Sequence, residues 1–245
     1  MDDTVFQIAV YLSATFIAAL VAGVTGFAFA LIAASVWLHV LTPLETVTLT
    51  VSYGLIVQGY GTWKLRHALH WSRVWPFAIG GAPGAALGAL VLQWADPSLM
   101  RIGIAAFLVL YSIYSLVRPT LKPVQAGMGA DVVAGFLGGF VGGTAGFPGI
   151  LIVIWCDLRG WPKDIQRGVF QPLSVALLAM SATVLGATGS IGIHTVQLFL
   201  LGLPVLAAGT WAGFALYGRI DEATFRRIVL MLLLASGLFL LASFW

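Results

Sequence analysis

Charge is what this sequence has least of. Asp, Glu, Lys and Arg make up 9% of its 245 residues and hydrophobic side chains 60%, whereas about 25% of a soluble domain is charged. A chain so poor in charge cannot cover its surface for water, and apolar runs of helical span length recur from Val5 to Phe244. The expected fold class is an all-α polytopic membrane protein whose main partner is the lipid bilayer. Residues 1–245 read as a single membrane domain, with no stretch left over for a soluble one. Cysteine is almost absent too. Cys156 alone excludes an intramolecular disulfide and offers no metal cluster, so it reads as a small apolar helix residue. Carboxylates are missing from the middle of the spans, since Glu45, Asp131 and Asp157 fall at span edges. That argues against an intramembrane aspartyl protease and leaves a proton relay without a carrier. Ser190 and His194 lie near a surface with no orienting partner, which leaves hydrolase chemistry unsupported. The reading is therefore no enzyme, no cofactor and no metal. The net charge of +3 comes from loop residues and is a topology signal, not a nucleic-acid footprint. A positive n-region is lacking in Met1-Asp2-Asp3-Thr4, so the first apolar run is expected to stay in the protein.

Glycine, in contrast, is abundant, and it clusters. Ala22-Gly23-Val24-Thr25-Gly26-Phe27-Ala28-Phe29 has a sister in Gly142-Gly143-Thr144-Ala145-Gly146-Phe147-Pro148-Gly149, 120 positions on. Glycine costs about 1 kcal/mol against Ala in a helix interior, so such density predicts a break where backbone comes close to something else. Eight hydrophobic blocks follow, at about 5–41 and 131–157 (both broken), 43–63, 74–94, 98–117, 165–188, 195–217 and 224–244. The polar stretch 118–130 divides repeat 1 (about 5–117) from repeat 2 (about 131–245). Gly84 and Gly88 match Gly209 and Gly213 at an offset of 125, as Asp96 and Arg101 match Asp221 and Arg226. Internal duplication of this kind is a recurring build of secondary transporters.

Loop charge orients the repeats. If every block crossed once, neither orientation would obey the positive-inside rule. If each broken block instead returns to the side it entered from, with the N-terminus outside, Lys64, Arg66, Arg73, Arg118, Lys122, Arg159, Lys163, Arg167, Arg219, Arg226 and Arg227 all fall inside. Only Arg101 is left outside. The repeats are then inverted, each a re-entrant or hairpin helix pair plus three spanning helices. The arm Asp131 to Gly142, about 18 Å of helix at 1.5 Å per residue, passes the midplane of a core about 30 Å thick without needing to span it. The leading arm of the first hairpin, Val5 to Ala22, is longer and could nearly cross. Two tips entering from opposite faces would meet near the centre.

Helix starts after such glycines present unpaired N–H groups and a positive dipole end, which suit an anion. The candidate binding residues are Gly23, Thr25, Gly26 and Phe27 with Gly143, Thr144, Gly146 and Phe147. The threonines would act as hydroxyl donors and the phenylalanines as closures. Gln171 is expected to line the path and Arg167, one turn earlier on the same face, to mark its cytoplasmic mouth. The rival reading is that the glycines only let helices pack closely, and it is preferred for Gly80, Gly84, Gly88, Gly135 and Gly139. Arg167 reads equally well as a snorkelling interfacial residue, and Gln58 as an interhelical hydrogen-bonding one. The four histidines and most of the nine tryptophans fall near block ends, as an interfacial belt requires.

The paired motifs Gly23-Val24-Thr25-Gly26-Phe27 and Gly142-Gly143-Thr144-Ala145-Gly146-Phe147, the apolar spans and the central basic, proline-containing linker resemble the TauE/SafE sulfite exporter family over nearly the whole chain. Members often carry a glycine run where this chain has Ala22 and Val24. The resemblance implies a bacterial inner-membrane permease for small anions: sulfite, thiosulfate, organosulfonates or small carboxylates. Sulfite or a small sulfonate, moved by alternating access around a site between the hairpin tips, is the leading expectation. An anion channel of the same architecture and, more remotely, an intramembrane enzyme are the alternatives. Substrate, direction of flux and oligomeric state, a homo-oligomer included, stay open at this stage.

Overall fold

The computed structural model describes residues 3–26, 28–64, 66, 69, 71–117, 123–161 and 163–216, with positions 231, 234, 235, 238, 241 and 242 beyond them. These residues form nine helices and no strand: α1 (Asp3–Thr25), α2 (Phe29–Trp37), α3 (Pro43–Lys64), α4 (Trp71–Trp94), α5 (Pro97–Val117), α6 (Met128–Ala145), α7 (Pro148–Leu158), α8 (Lys163–Ala187) and α9 (Ile193–Leu216). Five of them, α1, α4, α6, α8 and α9, hold apolar stretches long enough to cross a membrane. Most of the expected eighth block, with Asp221, Arg226 and Arg227, lies outside the described residues. Two compact units result, Met1–Thr46 with Ala95–Pro119 and His194–Trp245, and Val47–Trp94 with Thr120–Ile193. Each draws helices from both halves of the sequence.

Local chemistry sets the helix starts. Thr42 and Glu45 form a capping box at α3, Thr42 N–H and Oγ1–H donating to Glu45 Oε2 (3.0 and 2.8 Å) while Glu45 N–H donates to Thr42 Oγ1 (3.3 Å). Asp96 Oδ1 accepts from the N–H groups of Ser98 and Leu99 at α5 (2.8 and 3.2 Å). Proline opens α3, α5 and α7, where its missing N–H costs nothing.

Both glycine motifs break their helices, and in the same way. Gly26 has φ +88° and Gly146 φ +77°, the left-handed region that glycine enters freely. The N–H of Gly26 donates to Ala22 O (2.7 Å) and that of Gly146 to Gly142 O (2.9 Å), a left-handed helix stop in each case. The chain then doubles back. Asp131, near the start of α6, accepts on one oxygen from Trp155 Nε1 of α7 (2.7 Å) and from Arg159 just beyond it (2.9 Å). Val124 N–H donates to Leu158 O (2.8 Å). In the other unit Trp37 Nε1 donates to Tyr11 O (3.4 Å) and the two rings lie 5.2 Å apart. One expectation changes here. The leading arm α6 has 18 residues, not about 12, because regular helix continues back to Met128 and forward to Ala145. The short arms are the returning ones, α2 with 9 residues and α7 with 11.

The leading arms are fixed by glycine. A Cβ on Gly80, Gly84 or Gly88 of α4 would overlap the carbonyl oxygens of Val132, Phe136 and Phe140 of α6. Reciprocally, a Cβ on Gly135, Gly139 or Gly143 would overlap those of Phe77, Gly81 and Ala85. The constant register makes α4 and α6 a parallel pair in backbone contact, as small-xxx-small stripes allow. In the other unit, Gly209 and Gly213 of α9 meet Phe16 O and Leu20 O of α1, and the Cα of Gly23 would lie 2.9 Å from a Cβ on Gly213. Adding 120 to the α1 positions and subtracting 125 from the α9 positions reproduces the α6–α4 contacts residue for residue. The two units thus share one set of contacts, with α6 docked on α4 and α1 on α9.

Trp63, Trp71, Trp75, Trp94 and Trp211 are all exposed, as an interfacial belt requires. It fails for Trp37, which is fully buried against Tyr11 and Phe29, because the returning arm α2 ends inside its unit. Trp161 is a platform for Arg73 and Arg159, whose guanidinium carbons lie 4.9 and 5.4 Å from its ring centre.

The α4–α6 contact leaves no room for a side chain. Gly139→Leu is expected to lower stability by roughly 1–3 kcal/mol or more through overpacking, read as a fall in melting temperature in detergent. Gly103→Ala, with nothing within 4 Å, leaves that temperature unchanged or higher.

Candidate functional site

The second break delivers a helix start into the interior of its unit. After the left-handed turn at Gly146, Phe147, Pro148, Gly149 and Ile150 are all buried. A Cβ on Gly146 would sit 2.7 Å from Thr50 Cγ2, so the turn is held against α3. The first turn of α7 carries the positive end of its helix dipole. There, a Cβ on Gly149 would lie 3.2 Å from Ser174 Oγ of α8.

Around that start α8 and α3 bring polar side chains. Gly61 of α3 lies against the Gln171 amide, with 3.1 Å from a Cβ there to Nε2, and Gly54 lies against Leu178 Cδ1 at 3.0 Å. The pairings 54 with 178 and 61 with 171 share one antiparallel register, which sets Gln58 level with Ser174. Ser174 is 0% exposed, Gln171 3% and Gln58 9%. None of Ser174 Oγ, Gln171 Oε1 and Gln58 Oε1 has a hydrogen-bond partner, and Thr48 Oγ1 and Thr62 Oγ1 of α3 are likewise buried and unpaired. Several other helix hydroxyls satisfy themselves by donating four residues back: Thr15 to Tyr11 O, Ser112 to Leu108 O, Ser181 to Leu177 O. Ser174 departs from that habit. A buried unpaired polar group costs about 1–3 kcal/mol, and Ser174 carries one beside a helix start. Pro172, inside α8, also has no N–H to give the carbonyl of Gly168.

The residues singled out by sequence divide accordingly. Gln171 belongs to the cluster, and Phe147 is buried in the turn that leads to it. Gly146 and Gly26 make the turns, while Gly143 and Gly23 are taken up by helix packing. Thr144 Oγ1 donates to Phe140 O of its own helix (2.9 Å), so its hydroxyl proton is already committed. The Thr25 and Arg167 side chains and all of Phe27 lie outside the described residues. Gln58, expected to bond between helices, instead has an unpaired carbonyl oxygen. Ser174 and Gly149 are additions. The one signal for Ser174 was its place one turn after Gln171, and a helix serine ordinarily back-bonds.

The other unit has a cavity of about 410 Å³ lined by Gln7, Tyr11, His39, Glu45, His194 and Gln197, among others. His194 Nδ1 lies 2.7 Å from Glu45 Oε1, so His194 has a partner that its position at a block end did not reveal. Among the described residues no three His, Cys, Asp or Glu side chains are grouped to hold a metal ion.

A family model described as Sulfite exporter TauE/SafE matches residues 11–240. The chain belongs to that family. It is accordingly a multi-pass membrane protein of the transporter class. No curated protein and no solved structure matches the chain.

In a TauE/SafE protein the unpaired cluster and the fold pull in opposite directions. Ser174→Ala and Gln171→Met are expected to leave the melting temperature unchanged or raise it, because each removes an unsatisfied buried group. Both should cut solute flux at least about tenfold, a loss of roughly 1.4 kcal/mol of binding. Thr144→Val should leave flux unchanged. A drop in both stability and flux for Ser174→Ala would assign that residue to packing alone.

Proposed function

We propose that the protein is a permease for small anions, sulfite or a small organosulfonate, in a bacterial inner membrane, and that it binds its solute at the start of α7. The observation that carries this reading is the buried, unpaired Ser174 hydroxyl beside the α7 N-terminus, with the unpaired Gln171 and Gln58 oxygens on the same stretch of the α8–α3 contact. Backbone N–H groups and a hydroxyl supply directional donors, and the helix dipole supplies about half a positive charge. Gln171 sits one turn after Arg167 on α8, which draws anions toward the cytoplasmic mouth.

The membrane arrangement we infer is the inverted one, with the N-terminus outside. A block that crossed once would hold its ends about 30 Å apart, whereas Asp131 and Arg159 are 2.9 Å apart. The returning arms α2 and α7 are about 14 and 16 Å long at 1.5 Å per residue, too short to cross alone, which supports re-entrant hairpins. Irregular backbone at that depth is tolerated where protein buries it, as it does at Gly146. Inverted repeats rocking between two states give alternating access. An exported monoanion gains about 2.3 kcal/mol per 100 mV in an inside-negative cell, so efflux runs without a coupling ion.

Two measurements test this. Purified protein in liposomes should give saturable flux of labelled sulfite that responds to an imposed potential; flux indifferent to protein and potential would refute the proposal. For topology, single cysteines in a Cys156→Ser background at Ala130 and Gly160 should both react with a membrane-impermeant thiol reagent from the cytoplasmic face. Cysteines at Thr42 and Gly192 should react from outside. Labelling of positions 130 and 160 from opposite faces would overturn the hairpin arrangement.

A further inference from the structure

We infer that the unit containing α4 and α6 carries a site for an anionic phospholipid: Arg73 and Arg159, both placed over the indole of Trp161, hold a headgroup phosphate at the membrane surface proposed above to be cytoplasmic. Trp161 is a fixed platform. Its N–H donates to Cys156 O (3.1 Å), its carbonyl accepts from Nε2 of the buried Gln166 (2.8 Å), and the Phe77 ring of α4 meets it edge-on at 6.4 Å. Arg159 reaches the ring from two positions earlier in the chain and Arg73 from the first turn of α4, their guanidinium carbons 5.4 and 4.9 Å from its centre. Two cations brought to one ring repel each other unless an anion lies between or beside them.

Their charges are matched unequally. Arg159 Nη1 donates to Asp131 Oδ1 (2.9 Å), and that pair is largely covered, with side chains 18% and 11% exposed. The same oxygen already accepts from Trp155 Nε1 (2.7 Å). Arg73 is half-buried, yet among the described residues no carboxylate or carbonyl accepts from it, and α4 has no acidic residue in its first turn. A guanidinium carries five N–H donors in a planar fork, and the ring of Trp161 gives them no oxygen. The acceptor that suits such a fork is an anion with several oxygens, which it grips bidentately.

Position says which anion. Trp71 and Trp75, one turn apart on α4, are 57% and 63% exposed, and exposed tryptophans at the end of a spanning helix lie at headgroup level. Arg73 falls between them in sequence and so on the other side of the same turn, with Phe77 one turn further on. The start of α4 thus gives its indoles to lipid and its guanidinium to Trp161. Basic pockets between membrane helices at the cytoplasmic surface suit anionic headgroups. A phospholipid of net negative charge brings phosphate oxygens to that depth and offsets the excess cation; a zwitterionic one brings the oxygens without the net charge.

Native mass spectrometry of the detergent-purified protein counts bound lipids. Phosphatidylglycerol and phosphatidylcholine of equal chain length would be titrated in, with inorganic phosphate as a third arm. Wild type should retain one phosphatidylglycerol per chain where phosphatidylcholine is lost, and phosphate should not displace it. Arg73→Gln should weaken that retention at least about fivefold, the effect of one basic side chain at an anionic surface. Arg73→Lys should recover only part of it, since an ammonium keeps the charge but not the fork. Arg66 is exposed over Trp63 at 5.4 Å and shares its ring with no second described cation, so Arg66→Gln should cost less than about twofold. Melting curves without lipid establish that each variant is folded, and Arg73→Lys carries the test if Arg73→Gln is not. The inference is overturned if wild type retains both lipids alike or neither, or if the folded Arg73 variants bind phosphatidylglycerol as wild type does. It is overturned equally if Arg66→Gln loses as much as Arg73→Gln, which would leave only general surface charge, or if phosphate displaces the lipid, which would make the cluster a free-anion site.

Discussion

Backbone touching backbone is the constraint that shapes this molecule. Along α4 and α6 the carbonyl oxygens of one helix lie where side chains of the other would begin, at Gly80, Gly84 and Gly88 and again at Gly135, Gly139 and Gly143. In lipid there is no water to drive apolar faces together, so helices associate through close packing and short polar contacts. Glycine provides both, because its Cα hydrogens can approach the facing carbonyls. Everything positioned on α6 inherits that rigidity: the stop at Gly146, the turn at Phe147 and the point at which α7 begins.

A rigid leading arm explains how a helix start can be placed among unpaired side chains without collapse onto them. The hairpin is fixed at both ends. Its closed end is held by the Gly146 turn against Thr50. Its open end is held by Asp131, which gathers Trp155 and Arg159, and by the stacking of Arg159 on Trp161. Between those anchors α7 cannot slide along α8 to bury Ser174 against a partner. The unpaired groups persist because the surrounding packing over-determines them.

Much of this was legible in the sequence, and the remainder was hidden for identifiable reasons. The breaks at Gly26 and Gly146 and the offsets of 120 and 125 could be read because glycine density and spacing are one-dimensional properties. The stripes at Gly80, Gly84 and Gly88 were rightly assigned to packing, yet which helix they pack on was not visible. A small-residue stripe names a face, not its partner. Thr144 and Ser174 show the same limit at the level of one hydroxyl. Both are short polar residues on helices, but one donates to a carbonyl four residues back in its own helix and the other does not, a difference set by tertiary surroundings. The end of α2 misled through length: a residue late in an apolar block looks interfacial unless the helix is known to stop short, and Trp37 is therefore buried.

The crossed docking of the arms bears on how the chain is made. The glycine face of α1 meets α9, the last helix described in full, so α1 waits in the bilayer until the seven helices between them and α9 itself have followed. The α4–α6 pair closes much earlier, its two helices being separated only by α5 and the linker. The α4–α6 contact can thus form while α1 still lacks α9, and truncation before α9 removes the helix on which α1 packs while leaving the α4–α6 contact in the chain. A chain severed within the linker would yield fragments that must find each other, since each carries the arm that the other's groove was shaped to receive.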